Sequence, residues 1–293
     1  MHYRLASSHS GLDETVVRPM TEADLSAAHQ LSIEVGWPHR PQDWRFIFDI
    51  GSGFVVCDPI GRVVGSAMWW PFGDEAAAVG MVIVSPRLQA QGTGGRLMEA
   101  VFAETKARGL RLNSTREGYP LYRSLGFKPV GRIFQRQGLA RPTEEAIPSA
   151  SGVIRAMKDA DWPVLAQLDK QTLGLDRRCV FERLRENSTG IVVEQNDRPV
   201  GFSLCRPFGR GHSIGPVVAT DDAMAIALCR PHVDRRIGRF LRLDTAREQG
   251  DFIRFLDRAG LPIYDTVTTM TLGPAPVASH PAQAYACVNQ ALG

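Results

Sequence analysis

Gly92, Gly94 and Gly95 sit between an apolar run at residues 79–84 and an amphipathic stretch that begins at Leu97. Glycine weakens strands and helices alike, because it loses the most backbone freedom on folding. Its clustering here asks for a use of bare backbone, and the order strand, glycine loop, helix start supplies one. The first N–H groups of a helix lack intrahelical partners and lie at the positive end of the macrodipole. An anion such as a pyrophosphate sits readily there. Glycines let the backbone approach it with no Cβ in the way, and Arg96 adds charge. A Walker loop would continue Gly-Lys-Ser/Thr, whereas Gly95 is followed by Arg96 and Leu97. The dinucleotide pattern GxGxxG lacks its third glycine. A loop that merely turns the chain is the plain alternative.

The elements that would hold this loop are read from periodicity. Residues 16–20 pattern as a short strand, and Thr21 suits a helix cap before residues 22–33. Residues 54–57 and 62–68 flank the turn Asp58-Pro59-Ile60-Gly61, a hairpin signal. The run at 79–84 reads as a buried strand. Leu97, Met98, Val101 and Phe102 share one face of a helix over residues 97–108, which Gly109 ends. Leu110 and Leu112 mark another strand, followed by a short helix at 119–125 and a strand at 127–130. Strands alternating with helices predict a mixed α/β sheet.

The chain has 293 residues, which a prior of roughly 100–200 residues per domain reads as two domains. It also repeats itself. Arg18, Met20, Ala23 and Asp24 return as Arg155, Met157, Ala160 and Asp161. The stretch GSAMWWPFG at 65–73 is echoed by GFSLCRPFG at 201–209, at nearly the same separation. Tandem copies of one domain follow, at residues 1–140 and 152–293, joined by a polar linker at 141–151. The net charge of +3 makes no large basic field, so neither nucleic acid nor a membrane is expected as a partner. Five scattered cysteines without CxxC spacing fit reduced thiols in a cytoplasm and suggest no metal site. No apolar run reaches the ~18 residues of a membrane span, and the first residues lack an apolar signal core.

Gln89-Ala90-Gln91-Gly92-Thr93-Gly94 matches the (Gln/Arg)-x-x-Gly-x-(Gly/Ala) signature of the GNAT superfamily, the acyl-CoA-dependent N-acyltransferases. Val84-Ser85-Pro86 stands just before it, where that family has Val-x-Pro. Leu121-Tyr122-Arg123-Ser124-Leu125-Gly126-Phe127 resembles the family's LYxxLGF. The resemblance covers residues 16–136, and the repeat extends its outline over the second half. It implies two tandem GNAT-like domains of α/β class, each a mostly antiparallel mixed sheet flanked by helices, with acetyl-CoA as cofactor. Gln89, Ala90, Gln91, Gly92, Thr93, Gly94, Gly95 and Arg96 would then hold the cofactor. In the family the strand before the loop splays from its neighbour, and its free backbone holds the pantetheine arm. The matching residues are Val82, Ile83 and Val84, where a backbone N–H would also polarise the thioester carbonyl.

The implied reaction is attack of a neutral primary amine on the thioester. It needs a positioned donor, an oxyanion partner, an outlet for the amine proton and an acid for the leaving thiolate. Tyr122 is the candidate acid, because a phenol's ordinary pKa near 10 is comparable with a thiol's. Tyr119 is given packing or cofactor contact only. No base is evident: Asp74, Glu75, Glu34 and His39 are candidates, or water relays the proton. Trp37, His39, Asp43 and Trp44, between the first two helices, could hold a cationic amine by stacking and charge. Alternatively, Trp37 and Trp44 pin that loop to the core, and Trp69-Trp70 pose the same question.

The second copy departs where the glycines stood, with Thr220-Asp221-Asp222-Ala223 instead. Acids there cap their own helix and repel phosphate. Aligning Gly260 with Gly126 puts Leu256 opposite Tyr122. This half is expected to bind no acyl-CoA in the usual way. Final strands in this family can pair or cross between copies, so a monomer with an internal pseudo-dimer is expected, or a homodimer. Residues 283–292 pattern as a short helix. The acceptor would be a small-molecule or peptide amine. An acyl-CoA-binding or partner-binding protein with little catalysis is the competing reading.

Overall fold

The computed structural model describes residues 15–106, 108–143, 152–274 and 279–293. Its first half runs β1 (Val16–Pro19), α1 (Leu25–Glu34), α2 (Pro41–Phe48), β2 (Ser52–Cys57), β3 (Val63–Phe72), β4 (Ala76–Val84), α3 (Thr93–Thr105), β5 (Gly109–Ser114), α4 (Tyr119–Ser124) and β6 (Lys128–Leu139). The second half repeats this order as β7 (Val153–Ala156), α5 (Trp162–Leu173), α6 (Arg178–Arg185), β8 (Thr189–Gln195), β9 (Arg198–Phe208), β10 (Gly211–Ala219), α7 (Asp222–Asp234), β11 (Phe240–Thr245), α8 (Asp251–Arg258) and β12 (Ile263–Leu272). One further strand, β13 (Gln283–Ala286), has no counterpart in the first half. Most of the expected linker, residues 144–151, lies outside the described residues.

The repeated residues make the same local structure twice. Arg18 donates to both carboxylate oxygens of Asp24 at 2.8 and 2.7 Å, and Arg155 to both of Asp161 at 2.7 and 2.9 Å. Each aspartate also accepts the backbone N–H that opens its helical turn, Thr21 at 2.8 Å and Lys158 at 2.7 Å. The pair thus ties the first strand of each copy to its first helix, and Arg18 with Thr21 holds the Asp24 carboxyl down to about 2. Gly65 and Gly201 share a second job. A Cβ on Gly65 would fall 3.3 Å from Leu97 of α3, and one on Gly201 would fall 2.5 Å from Met224 of α7. Each marks a strand crossed closely by the long helix of its copy.

All strands join one sheet in the order β1-β2-β3-β4-β5-β12-β6-β11-β10-β9-β8-β7, with β13 beside β10. The final strands are exchanged. β12 of the second half lies antiparallel to β5, and β6 of the first half lies antiparallel to β11. β6 and β12 pair with each other at the centre, from Ile263 opposite Arg136 to Thr271 opposite Lys128. Each copy therefore completes its partner's sheet, and the two halves form a pseudo-dimer within one chain.

Boundaries shift where local signals compete. α3 starts at Thr93 and ends at Thr105, capped by Lys106 with positive φ, so Gly109 opens β5 and does not stop the helix. The last strand of the first half extends to Leu139, well beyond residue 130, because its far end is paired by the other half. The helix expected over residues 283–292 is instead β13 followed by a compact turn. So short a run does not distinguish the period of a strand from that of a helix.

Candidate functional site

β4 and β5 run parallel and pair only at Ala76–Gly109, Ala77–Leu110 and Ala78–Arg111. Beyond Ala78 they diverge, and among the described residues the second part of β4 keeps only its β3 partner. Met81 sits there with φ of 51°, at a shift in the β3–β4 register. Ser85 N–H donates to Val64 O at 2.9 Å, so strand alternation turns the backbone of Ile83 toward β3 and that of Val82 and Val84 toward the opening. The Gln89 amide donates to Val84 O at 3.1 Å, from the mouth of the opening. The side chains are core: Ile83 packs on one face of the sheet, and Val82 and Val84 on the other.

The glycine loop lies at that mouth. Gly92 caps α3 with φ of 81°, a left-handed conformation that side chains resist. Gly94 lies against α4: a Cβ there would meet Leu121 Cδ2 at 2.9 Å. A Cβ on Gly95 would meet nothing within 4 Å, so its outer face is open. Arg96 N donates to Gly92 O at 3.2 Å. The N–H groups of Thr93, Gly94 and Gly95 precede that first intrahelical bond and point out of the helix start. Gln91 braces the loop by donating to Arg87 O at 3.0 Å, and Thr93 is buried. Ala90 lies in the same loop with φ of 61°. The Arg96 guanidinium is held by Thr15, with bonds of 2.6 and 2.7 Å, which keeps its charge beside the helix start.

Tyr122 projects from α4 into the core on the same side as α3. Its ring meets Phe127 edge-on at 5.8 Å, and its hydroxyl makes no hydrogen bond among the described residues. Burial pushes the phenol above its ordinary value, so it is protonated at neutral pH.

On the opposite face of the sheet a cavity of about 610 Å³ opens onto Gly80 and Met81, where β4 diverges. Trp37 and His39 line it from the first half, and Phe208 and Arg242 from the second. His39 stands 5.8 Å from the Trp37 ring and 5.4 Å, edge-on, from Phe208. Burial, then the charge of Arg242, push His39 to about 4. Its imidazole is neutral at physiological pH, and its buried Nδ1 has no partner among the described residues. Of the four candidate bases, His39 lines the cavity; Glu34, Asp74 and Glu75 are exposed on its outside.

The other two residues expected at an acceptor site serve the fold. Trp44 is fully buried and donates its indole N–H to Ser32 Oγ at 3.1 Å, which ties α2 to α1. Asp43 accepts from Arg40 Nη2 at 2.8 Å and from Gly209 N–H at 2.9 Å, which ties the loop to the second half. Burial alone would raise the Asp43 carboxyl, but Arg40 and Gly209 outweigh it and hold it low. Its negative charge is engaged by Arg40. Trp69 and Trp70 are buried on opposite faces of the sheet, also as core.

The second half has the same splay, but it is filled. β10 pairs with parallel β11 only at His212–Leu241 and Ser213–Arg242. Beyond that point β13 lies antiparallel along β10, with Val217 opposite Ala286 and Ala219 opposite Gln283. Cys287 N–H donates to Asp244 O of β11 at 2.8 Å. The chain's own tail thus occupies the slot that is open in the first half. The helix start is closed too. Asp221 caps α7 by accepting from Met224 N–H at 2.8 Å. Asp222 accepts from Phe252 N–H and from the Tyr285 hydroxyl, both at 2.9 Å. Leu256, opposite Tyr122, is fully buried. Sequence reasoning missed the filled slot, because a four-residue strand carries too little pattern to place.

A splayed parallel strand pair, a bare helix start at its mouth and a cleft through the sheet define an acyltransferase scaffold. Comparison with known proteins agrees. Two models of the acetyltransferase (GNAT) domain match, one at residues 50–129 and one at 165–286. The chain belongs to the GNAT acetyltransferase superfamily, with two such domains in tandem. It is 23% identical over 277 residues to the uncharacterized N-acetyltransferase YitH of Bacillus subtilis (strain 168), covering 93% of this chain and 96% of that one. A candidate acetyltransferase from Pyrococcus horikoshii shares the fold with a TM-score of 0.78 at 18% identity, over 99% of this chain and 100% of that one. A tandem GNAT protein from the clavulanic acid biosynthesis pathway does so with a TM-score of 0.59 at 17% identity, over 89% of this chain and 100% of that one. Among the described residues no helix is long and apolar enough to cross a membrane.

Proposed function

We propose that this acetyltransferase moves the acetyl group of acetyl-CoA to a primary amine by direct attack, at one site per chain, in the first half. The observation that carries this reading is the end of β4–β5 pairing at Ala78, which among the described residues leaves a slot open here while β13 fills its counterpart beside β10. Acetyl-CoA fits the residues present. The N–H groups of Thr93, Gly94 and Gly95 would take the diphosphate, beside Arg96. The backbone of Val82 and Val84 would take the pantetheine arm as an added strand, and an N–H of this stretch would polarise the thioester carbonyl. When bound, the cofactor supplies the activated acetyl group. Tyr122, a protonated phenol on the α3 side, donates its proton to the departing thiolate. The amine enters from the opposite face, through the cavity at Gly80 and Met81. The neutral His39 accepts a hydrogen bond from it and aims its lone pair, and the proton leaves through water.

In this reading residues 1–140 are the catalytic domain and residues 152–293 a scaffold that binds no coenzyme. The scaffold lends β12 to the catalytic sheet and Phe208 to the cavity wall. Titration calorimetry with acetyl-CoA tests it, with thiol release measured over an amine panel. One coenzyme per chain and amine-dependent thiol release are expected. Two coenzymes per chain would refute the filled slot. Binding without release for any amine would favour a coenzyme-binding protein with little catalysis.

A further inference from the structure

The acceptor cavity carries a feature that the transfer chemistry does not need. Its floor is a chain of carboxamides. Gln290 donates to Gln135 Oε1 at 3.1 Å, and Gln135 donates to Gln137 Oε1 at 2.8 Å. Asn113 joins from β5, donating to Gln290 O at 2.7 Å and accepting from Thr269 Oγ1 at 2.7 Å. Gln135 and Gln137 are 6% and 9% exposed. Buried amides are costly unless they are bonded, and this chain is bonded along its length yet open at both ends. The Gln137 NH₂ finds no acceptor among the described residues, and Gln290 Oε1 finds no donor. Both belong to side chains that line the cavity.

The tail that brings Gln290 here is held by hydrogen bonds. Leaving β13, it closes into a turn in which Asn289 Oδ1 accepts from Ala291 and Leu292 N–H at 2.9 and 2.8 Å. Leu292 O accepts from the buried Arg177 at 3.0 Å. Ala291 lies directly on the divergence point, because a Cβ on Gly80 would fall 3.1 Å from its Cβ. The strand that fills the second half's slot thus continues as a wall of the first half's cavity.

The charges point the same way. Asp43 is engaged by Arg40 and Gly209, and Asp244 is paired with Arg242 at 2.8 Å. Arg242 and Asp244 thus cancel within the wall, and Arg116 and Arg210 stand exposed at the rim. Glu117 and Asp265 stand exposed at the rim. Among the described residues a second ammonium group would find no free buried carboxylate here. Hydroxyl or amide groups would find a free donor at Gln137, a free acceptor at Gln290, and the Trp37 and Phe208 rings to lie against.

We infer that the acceptor is a small primary amine with a neutral body rich in hydroxyl or amide groups, and that Gln137 and Gln290 select it. The inference rests on the acetyl-transfer reading of this cleft. Glucosamine and serinamide serve as the neutral-bodied probes, and spermidine as the polycation. Glucosamine and serinamide should be acetylated with at least tenfold higher kcat/KM than spermidine. Gln137→Leu and Gln290→Leu should each raise the KM for glucosamine roughly three- to tenfold, the range of one hydrogen bond. Acetyl-CoA affinity should stay at wild type, and kcat should move far less than KM. A merely structural role would lower kcat and coenzyme affinity as well. Spermidine outrunning both probes, or glucosamine KM within twofold of wild type in both variants, overturns the inference while leaving acetyl transfer intact. No turnover with any amine, despite bound acetyl-CoA, defeats both.

Discussion

Replacing Tyr122 by phenylalanine separates chemistry from packing. The ring is 7% exposed and meets Phe127 at 5.8 Å. A Cβ on Gly118 would fall 3.1 Å from its Cε2, so the ring is held closely on that side as well. Phenylalanine keeps these contacts. The hydroxyl has no hydrogen-bond partner among the described residues, so its removal orphans nothing, and stability should stay within ~0.5 kcal/mol. The rate should not. A positioned general acid contributes about 10²–10⁴-fold, or roughly 3–5 kcal/mol at ~1.4 kcal/mol per tenfold. Burial raises the phenol above its ordinary value, so the wild type should show no loss of rate from this group below about pH 10. Initial rates of thiol release give kcat, calorimetry gives acetyl-CoA affinity, and a thermal melt checks the fold. The expected Tyr122→Phe variant melts as wild type, binds acetyl-CoA within about threefold and turns over at least ~100-fold more slowly. A variant that turns over within about threefold of wild type would show that Tyr122 only packs.

Gly94→Val should displace the loop, since its Cβ would meet Leu121 at 2.9 Å; we expect acetyl-CoA affinity to fall about tenfold or more with the fold retained, and unchanged affinity by calorimetry would defeat the loop assignment. His232 should make the fold acid-sensitive. It is fully buried, and its Nε2 lies 3.0 Å from Ser203 Oγ, whose own proton goes to Leu228 O. Nε2 therefore carries the hydrogen, and Nδ1, without a partner among the described residues, is bare. Burial, then Arg236, push this imidazole to about 3. The unfolded chain takes up the proton first, near pH 6.5. Stability is thus full above that value and falls as pH drops toward 3, by about 2 kcal/mol between pH 7 and 5. Denaturant titrations should show a smaller decline for His232→Gln, and equal slopes would contradict this.

The first half was legible because its signals are local. The glycine loop, the LYRSLGF stretch and the Arg18–Asp24 and Arg155–Asp161 echoes each put a backbone conformation or an ion pair within a few residues of itself. The missing glycines at Asp221 and Asp222 were equally legible, and both acids cap or brace helix starts. Long-range placement was not. Nothing within residues 128–139 says that their far end pairs with β11, because an apolar and polar alternation is satisfied by any neighbouring strand. Trp44 and Asp43 have the residue types of an amine site, yet only the packed structure shows both turned to the core. The tail was the largest omission. Residues 283–293 are held by partners far away in sequence, namely Asp222, Asp244, Asn113 and Arg177. The sequence pattern carries no trace of such distant partners.

A crystal structure with CoA bound tests the central claim most directly. One coenzyme per chain is expected, its diphosphate on the N–H groups of Thr93, Gly94 and Gly95 and its pantetheine arm along Val82 and Val84, with β13 still seated on β10. Coenzyme found beside Asp221, or a first-half cleft left empty at saturating CoA, would contradict it.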